Sequence, residues 1–460
     1  MVPETIKIIP PPLHTLKKEA NTLFYVTALM HVASGASTIV LPLLLWRTGN
    51  ISASQIGIIQ IVHTITAMFT ASFFGSLSDR IGRKPLIVFG PIVIGLSFLP
   101  YIFTENFSIL IAAGVIRGCG SSMTSGPSTA FVADVSPTST RGEMMGKLSI
   151  ANLGGSAIGF VIGGFLWDYW EKDALIVFTG ITLACAILLI VFLKEIRQPF
   201  MIVPIKTALE RNPFMEVFEA LRDSQFRRFA AIWFSTACLS GIVITYSPIL
   251  LDSLTGSTSG NGTEAKTGSI VGTLFLLGGL LTGSTQVLWG KMSDNLGRKP
   301  FLLLGATSLA TLVSMLSIVI NEESTTIRAY FKNPIDINKH LTIPLPFGDY
   351  QVSFLVFSLV LGAMFLSMSS MFPASAALLA DVAPRETRGT AMGIYKSLLG
   401  VGNLTGVLIG GMAIDFLGKE NAPLAIVTLC LALAIVNLGT VIFYIIETAH
   451  IEEIFYGRTS

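Results

Sequence analysis

The chain has 460 residues, 52% of them apolar and only 13% charged, with a formal net charge of +2. Soluble domains carry about 25% charged residues, so this composition excludes an ordinary soluble protein. The small net charge says little about partners, but its distribution says more: charge is clustered, leaving long windows almost free of it, which is the pattern of membrane spans.

The first residues, 1–19, are expected to form a cytoplasmic tail. The first apolar run follows Lys17 and Lys18 and is too long for the core of a signal peptide, so it is expected to be retained. Twelve runs have the length of helices crossing a bilayer, at about 20–46, 54–77, 85–104, 107–133, 143–167, 173–193, 229–251, 268–291, 300–320, 351–380, 390–415 and 422–446. The four cysteines, Cys119, Cys185, Cys238 and Cys430, all fall inside these runs. They are read as small packing residues rather than as a disulfide framework or metal ligands. With the N-terminus inside, 22 Lys and Arg residues fall on cytoplasmic segments or, like Lys147 and Lys396, on the adjoining span ends, and seven fall on exterior segments. That bias places both termini in the cytoplasm.

Between spans six and seven, residues 194–228 read as a cytoplasmic linker. Asn212-Pro213 is a helix-start signal, and Phe214, Val217, Phe218 and Leu221 follow at amphipathic spacing. Residues 447–460 form the C-terminal cytoplasmic tail.

A repeat organises the whole. The turn carrying Gly75, Asp79, Gly82, Arg83 and Lys84 recurs 215 residues later as Gly290, Asp294, Gly297, Arg298 and Lys299. Asp134 and Arg141 recur 247 residues later as Asp381 and Arg388. The ladder Gly155, Gly159, Gly163 and Gly164 recurs at that same offset of 247 as Gly402, Gly406, Gly410 and Gly411, and Asp168 recurs as Asp415. The extra residues lie mostly in the polar, proline-rich segment 321–350, on the expected exterior. The expected fold is therefore an all-α membrane protein with twelve transmembrane helices. They form two six-helix bundles, 20–193 and 229–446, related by an internal same-orientation repeat.

The repeated motifs carry a physical logic. The glycines permit a tight turn. Asp79 and Asp294 end a span and can face the positive end of a neighbouring helix, while the basic residues meet carboxylates or anionic headgroups. Asp134, Arg141, Asp381 and Arg388 can complete two charge clusters that form in one conformational state and break in another. The glycine ladders bring helices close, for packing or for gating.

Arg117 stands about ten residues into the fourth span, near the membrane midplane, and no Asp or Glu lies mid-span. A charge there is costly and calls for a wet cavity, a substrate or helix carbonyls. His31 and His63 are the other ionisable groups deep in spans, candidates for proton coupling or neutral hydrogen bonding. Ser34, Thr38, Ser240, Thr245 and Tyr246 could add hydrogen bonds to a substrate alongside Arg117 and His31. The sequons at Asn50, Asn106 and Asn261 fall on expected exterior loops. No P-loop, zinc-protease motif or nucleophile elbow is present, so neither an enzyme nor direct use of ATP is expected.

The repeated turns and the two Asp-x6-Arg motifs resemble the major facilitator superfamily across essentially the whole chain. The resemblance implies two six-helix bundles around a central cavity lined by spans 1, 4, 7 and 10. Arg117 resembles the span-4 arginine of drug exporters, although Ser121 stands where that motif has glycine, and Phe160 replaces the proline of the exporters' span-5 motif. The expected activity is alternating-access secondary transport at the cell membrane. Export of a small amphipathic or anionic compound, with protons as a further partner, is the leading reading; uptake of a sugar or organic acid is the alternative. A non-transporting sensor or scaffold on the same fold is the reading from another class. No cofactor, metal or nucleic acid is expected, and the chain is expected to act as a monomer in membrane lipid.

Overall fold

A computed structural model describes residues 13–48, 50–136, 141–194, 224–255, 267–322, 340–345, 348–371, 373–375 and 388–456. The amphipathic helix expected from Phe214, the sequon at Asn261 and the carboxylate of Asp381 lie outside these residues, as do the side chains of Arg141 and Arg388.

The first helices are α1 (Leu13–Arg47), α2 (Ala53–Ile81), α3 (Arg83–Phe103), α4 (Phe107–Val135), α5 (Arg141–Trp170) and α6 (Ala174–Phe192). They are followed by α7 (Ser224–Thr255), α8 (Thr267–Leu296), α9 (Lys299–Glu322), α10 (Phe354–Met368), α11 (Arg388–Leu417) and α12 (Ala422–Tyr456). Several run past the apolar spans that mark them, because the polar residues at their ends carry no helix breaker. Among the described residues, eight stretches are long and apolar enough to cross a membrane, or nine if α2, bent by 46° after Ala71, counts as one. One of the eight, Glu143–Phe192, is 50 residues long and contains both α5 and α6. The surface is apolar in the same way: Phe89, Leu96, Ile150, Ile187, Phe443 and Ile446 are all exposed. Such a surface needs lipid rather than water around it.

One short element is not helical. Strands β1 (His340–Leu345) and β2 (Gly348–Ser353) pair antiparallel, with Leu341 opposite Val352 and Ile343 opposite Tyr350. Leu341, Ile343 and Leu345 alternate along β1, the period-two pattern of a strand.

The chain divides into two compact units. One holds 1–37, 62–159 and 172–210, and the other 38–61, 160–171 and 211–460. In the first, α3 packs on α4 and α6, around a core that includes Leu23, Phe24, Ile87, Phe131 and Leu189. In the second, α9 packs on α10 and α12, and α7 on α11, around Trp233, Phe301, Leu302, Met371 and Tyr444. The buried Asn437 donates to Ile232 O, Ser235 Oγ and Thr236 Oγ1, so its amide hydrogens are satisfied inside the apolar core.

Candidate gating turns and buried polar groups

The two basic turns have one geometry. α2 runs to Ile81, and Gly82 then adopts φ 101°; α8 runs to Leu296, and Gly297 adopts φ 89°. Both lie in the left-handed region that favours glycine. The expectation that Gly75 and Gly290 also shape the turn is corrected. Both sit inside helices, and a Cβ at either would meet nothing within 4 Å.

Across the first turn, Arg83 forms an ion pair with Asp79 and donates to Ser78 Oγ at 2.6 Å. Its Nε donates to Asp134 Oδ2 at 3.2 Å, so α2, α3 and α4 are tied by one guanidinium. Lys84 donates to Ile190 O at 2.9 Å, adding α6. Across the second turn, Arg298 pairs with Asp294 and donates to Ser293 Oγ at 2.8 Å. Asp79 and Asp294 each meet an arginine four residues on. The repeat extends into the helices: the hydroxyls of Thr70 and Ser122 share a hydrogen bond of 2.6 Å, and those of Thr285 and Ser369 one of 3.0 Å.

Glycines of both ladders lie at close approaches to other helices. Gly155 and Gly159 lie against Ala28 and Val32 of α1, and a Cβ on Gly155 would come within 2.9 Å of His31 Cβ. Gly402 and Gly406 lie against Ala237 and Cys238 of α7, and a Cβ on Gly410 would come within 2.8 Å of Tyr246 Cε2. Gly163 is buried in α5.

Two aspartates that the sequence marks only as repeated meet the starts of neighbouring helices. At the other end of α2, Asp415 accepts from the backbone N–H groups of Ala53 and Ser54 at 2.9 and 3.0 Å. Asp168 accepts from those of Gly268 and Ser269, at the start of α8, at 2.7 and 2.8 Å. Nearby, Arg47 donates to Asp252 at 2.9 Å and lies over the Trp167 ring. All of these residues belong to the second unit.

The polar groups expected to meet a substrate are placed as follows. Arg117 is only 7% exposed, on α4, which packs against α3. Its electrostatic neighbours are Tyr101 of α3 and His63 of α2. Next to it, a Cβ on Gly118 would come within 2.6 Å of His63 O, so α4 and α2 approach closely there. His63 Nδ1 is buried and has no hydrogen-bond partner among the described residues. His31 Nδ1 lies 2.9 Å from Thr27 O. Ser34 is exposed, and Thr38 and Ser240 are half-buried.

Thr245 and Tyr246 are both buried, and the Tyr246 hydroxyl donates to Val407 O at 2.7 Å and Ala53 O at 3.2 Å. Its one proton is thus spent on packing, which leaves it no donor to offer a substrate. Tyr101 was missed from sequence because a single tyrosine near a span end carries no pattern.

The sequence profile of the Major Facilitator Superfamily matches residues 23–330 and 267–454. Multidrug resistance protein 1 of Bacillus subtilis (strain 168) is 24% identical over 388 residues, covering 84% of this chain and 87% of that protein. Quinolone resistance protein NorA of Staphylococcus aureus (strain MRSA252) is 29% identical over 151 residues, 33% of this chain and 39% of its own length. The crystal structure of the nucleoside transporter NupG superposes with a TM-score of 0.68 at 10% identity, over 93% of this chain and 98% of that one.

Proposed function

The chain belongs to the Major Facilitator Superfamily, and from that membership we propose that it exports a small amphipathic or anionic organic compound by alternating access. It is a multi-pass integral membrane carrier, not an enzyme. The observation that carries the export reading is the similarity to a multidrug resistance protein over 84% of the chain. The proposal includes twelve crossings in two like bundles, both termini in the cytoplasm, and action as a monomer in the cell membrane. Support for the like bundles is the recurrence of the same hydrogen bonds at the same offsets, Arg83–Ser78 with Arg298–Ser293 and Thr70–Ser122 with Thr285–Ser369.

In this proposal the Arg83 and Arg298 clusters are conformational latches, each assembled in one state of the cycle. Candidate ligand contacts are Arg117, His31, Ser34, Thr38 and Ser240. Arg117 acts by its charge, since a fixed guanidinium in a low-dielectric setting attracts an anionic or dipolar group from beyond contact distance. Coupling to protons is assigned to His31 and His63.

The test is efflux from cells producing the chain and loaded with a fluorescent amphipathic dye or a fluoroquinolone. Efflux faster than in cells lacking the chain, lost in R117A with the protein still in the membrane, supports the proposal. Equal retention in both cell types for every probe tried, anionic and cationic, would overturn it.

A further inference from the structure

We propose that Asp168 and Asp415 form a duplicated gate at the helix ends opposite the Arg83 and Arg298 turns. Each carboxylate holds that end closed by gripping two N–H groups in the first turn of a helix from the other repeat. The inference rests on the alternating-access reading and adds to it the residues that hold the second face.

The argument starts from register. The distance from Ala53 and Ser54 to Gly268 and Ser269 is 215 residues, and from Asp168 to Asp415 it is 247. These are the offsets of the two sets of gating motifs, so the carboxylate and the helix start that it grips were both carried through the repeat. Each carboxylate spends both oxygens on the partner helix, Asp168 on Gly268 and Ser269, and Asp415 on Ala53 and Ser54. The first N–H groups of a helix have no partner inside the helix and form its positive end, so a carboxylate there gains both hydrogen bonds and dipole attraction.

Glycines let the backbones meet. Gly164, four residues before Asp168, lies against Gly268. In the matching place Gly411 lies against Ser54, where a Cβ would come within 2.6 Å of Ser54 Cα. Gly57 and Gly272, also 215 apart, lie against Val407 and Phe160, which are 247 apart. The contact is therefore a repeated surface rather than two unrelated caps.

The chain's division agrees. Residues 38–61 and 160–171 come from α1, α2 and α5, yet they belong to the unit that contains α7–α12. The two carboxylate clamps and the Arg47–Asp252 pair are among the contacts that these ends make with α7, α8 and α11. The clamps are also breakable. Asp415 is exposed and Asp168 half-buried, so on separation water can replace the hydrogen bonds on both sides.

The experiment places spin labels at Asn50 and Glu420, both exposed, in a chain whose four cysteines are replaced, reconstituted in lipid nanodiscs. The distance distribution is measured with and without a fluoroquinolone. The proteins are the otherwise native chain, D168N, D415N, the double variant, and D173N as a control that loses a charge without a clamp. Asparagine keeps the shape but loses the charge and one accepting oxygen. Each single clamp variant is expected to lower the ratio of short to long distances by about threefold to tenfold, and the double variant by about the product. D173N is expected to leave the ratio unchanged. D168E and D415E, which keep the charge, fall between the native ratio and that of the asparagine variants, and they serve if the double variant does not fold. Two distances in the native chain with the same ratio in D168N and D415N, even with lowered thermal stability, would overturn the gate and leave alternating access standing. One unchanging distance in the native chain would overturn both.

Discussion

Replacing Arg83 with glutamine tests the first latch. Its guanidinium is 18% exposed and serves Asp79, Asp134 Oδ2 at 3.2 Å and Ser78 Oγ at 2.6 Å. A charged hydrogen bond contributes about 1.5–3 kcal/mol when buried and an exposed ion pair about 0–1 kcal/mol. Asp79 and Asp134 are 34% and 28% exposed, so each pair is discounted toward the lower figure. The three contacts together come to about 2–3 kcal/mol, of which glutamine's neutral amide recovers about 1 kcal/mol. A net loss near 2 kcal/mol shifts a two-state conformational ratio by about thirtyfold. The assay is labelling of a single cysteine near the turn by a membrane-impermeant thiol reagent in inside-out vesicles, alongside the rate of dye transport. R83Q should label about ten- to thirtyfold faster and transport more slowly. R83K, which keeps the charge but loses the fork, should fall between the two. R83Q that labels and transports like the native chain would refute the latch.

Other expectations follow from single contacts. Gly159→Leu should lower the melting temperature of the purified protein or prevent its accumulation, because the backbone of Val32 occupies the space. Gly154→Leu, whose Cβ would meet nothing within 4 Å, should be tolerated; equal losses would show that ladder spacing is irrelevant. Tyr246→Phe should cost about 0.5–1.5 kcal/mol of stability by removing the hydroxyl's bonds to Val407 O and Ala53 O, seen as earlier thermal unfolding with KM for the dye unchanged; a raised KM at native stability would return Tyr246 to the substrate site. R298Q should act in the same direction as R83Q, since Arg298 repeats its bonds to the aspartate and serine of the turn.

Much of this was legible in the chain because the membrane imposes strong patterns. Apolar runs located the helices, and the positive φ at Gly82 and Gly297 was implied by a glycine between two spans. The Arg83–Asp134 contact was foreseeable from repeated charges at span ends. Other features depend on three-dimensional neighbours that spacing does not reveal. Tyr246 reads as a polar residue on a cavity-type span, and only the approach of Val407 and Ala53 assigns its hydroxyl to packing. Arg117 reads as a lone charge, and its placement beside Tyr101 and His63 depends on how α2, α3 and α4 pack. Asp168 and Asp415 announced themselves by their shared offset, but a carboxylate at a span end does not name the helix it caps. The hairpin at 340–353 was hidden because prolines and polar residues outweighed a short alternation.

Transport by the purified chain tests the account most directly. In proteoliposomes preloaded with unlabelled fluoroquinolone, the protein should drive transient accumulation of a labelled trace of the same compound, saturably, with R117A and R83Q both impaired. Accumulation no greater than in protein-free liposomes, for fluoroquinolones and for amphipathic dyes alike, would contradict the assignment of this chain as an exporter of such compounds.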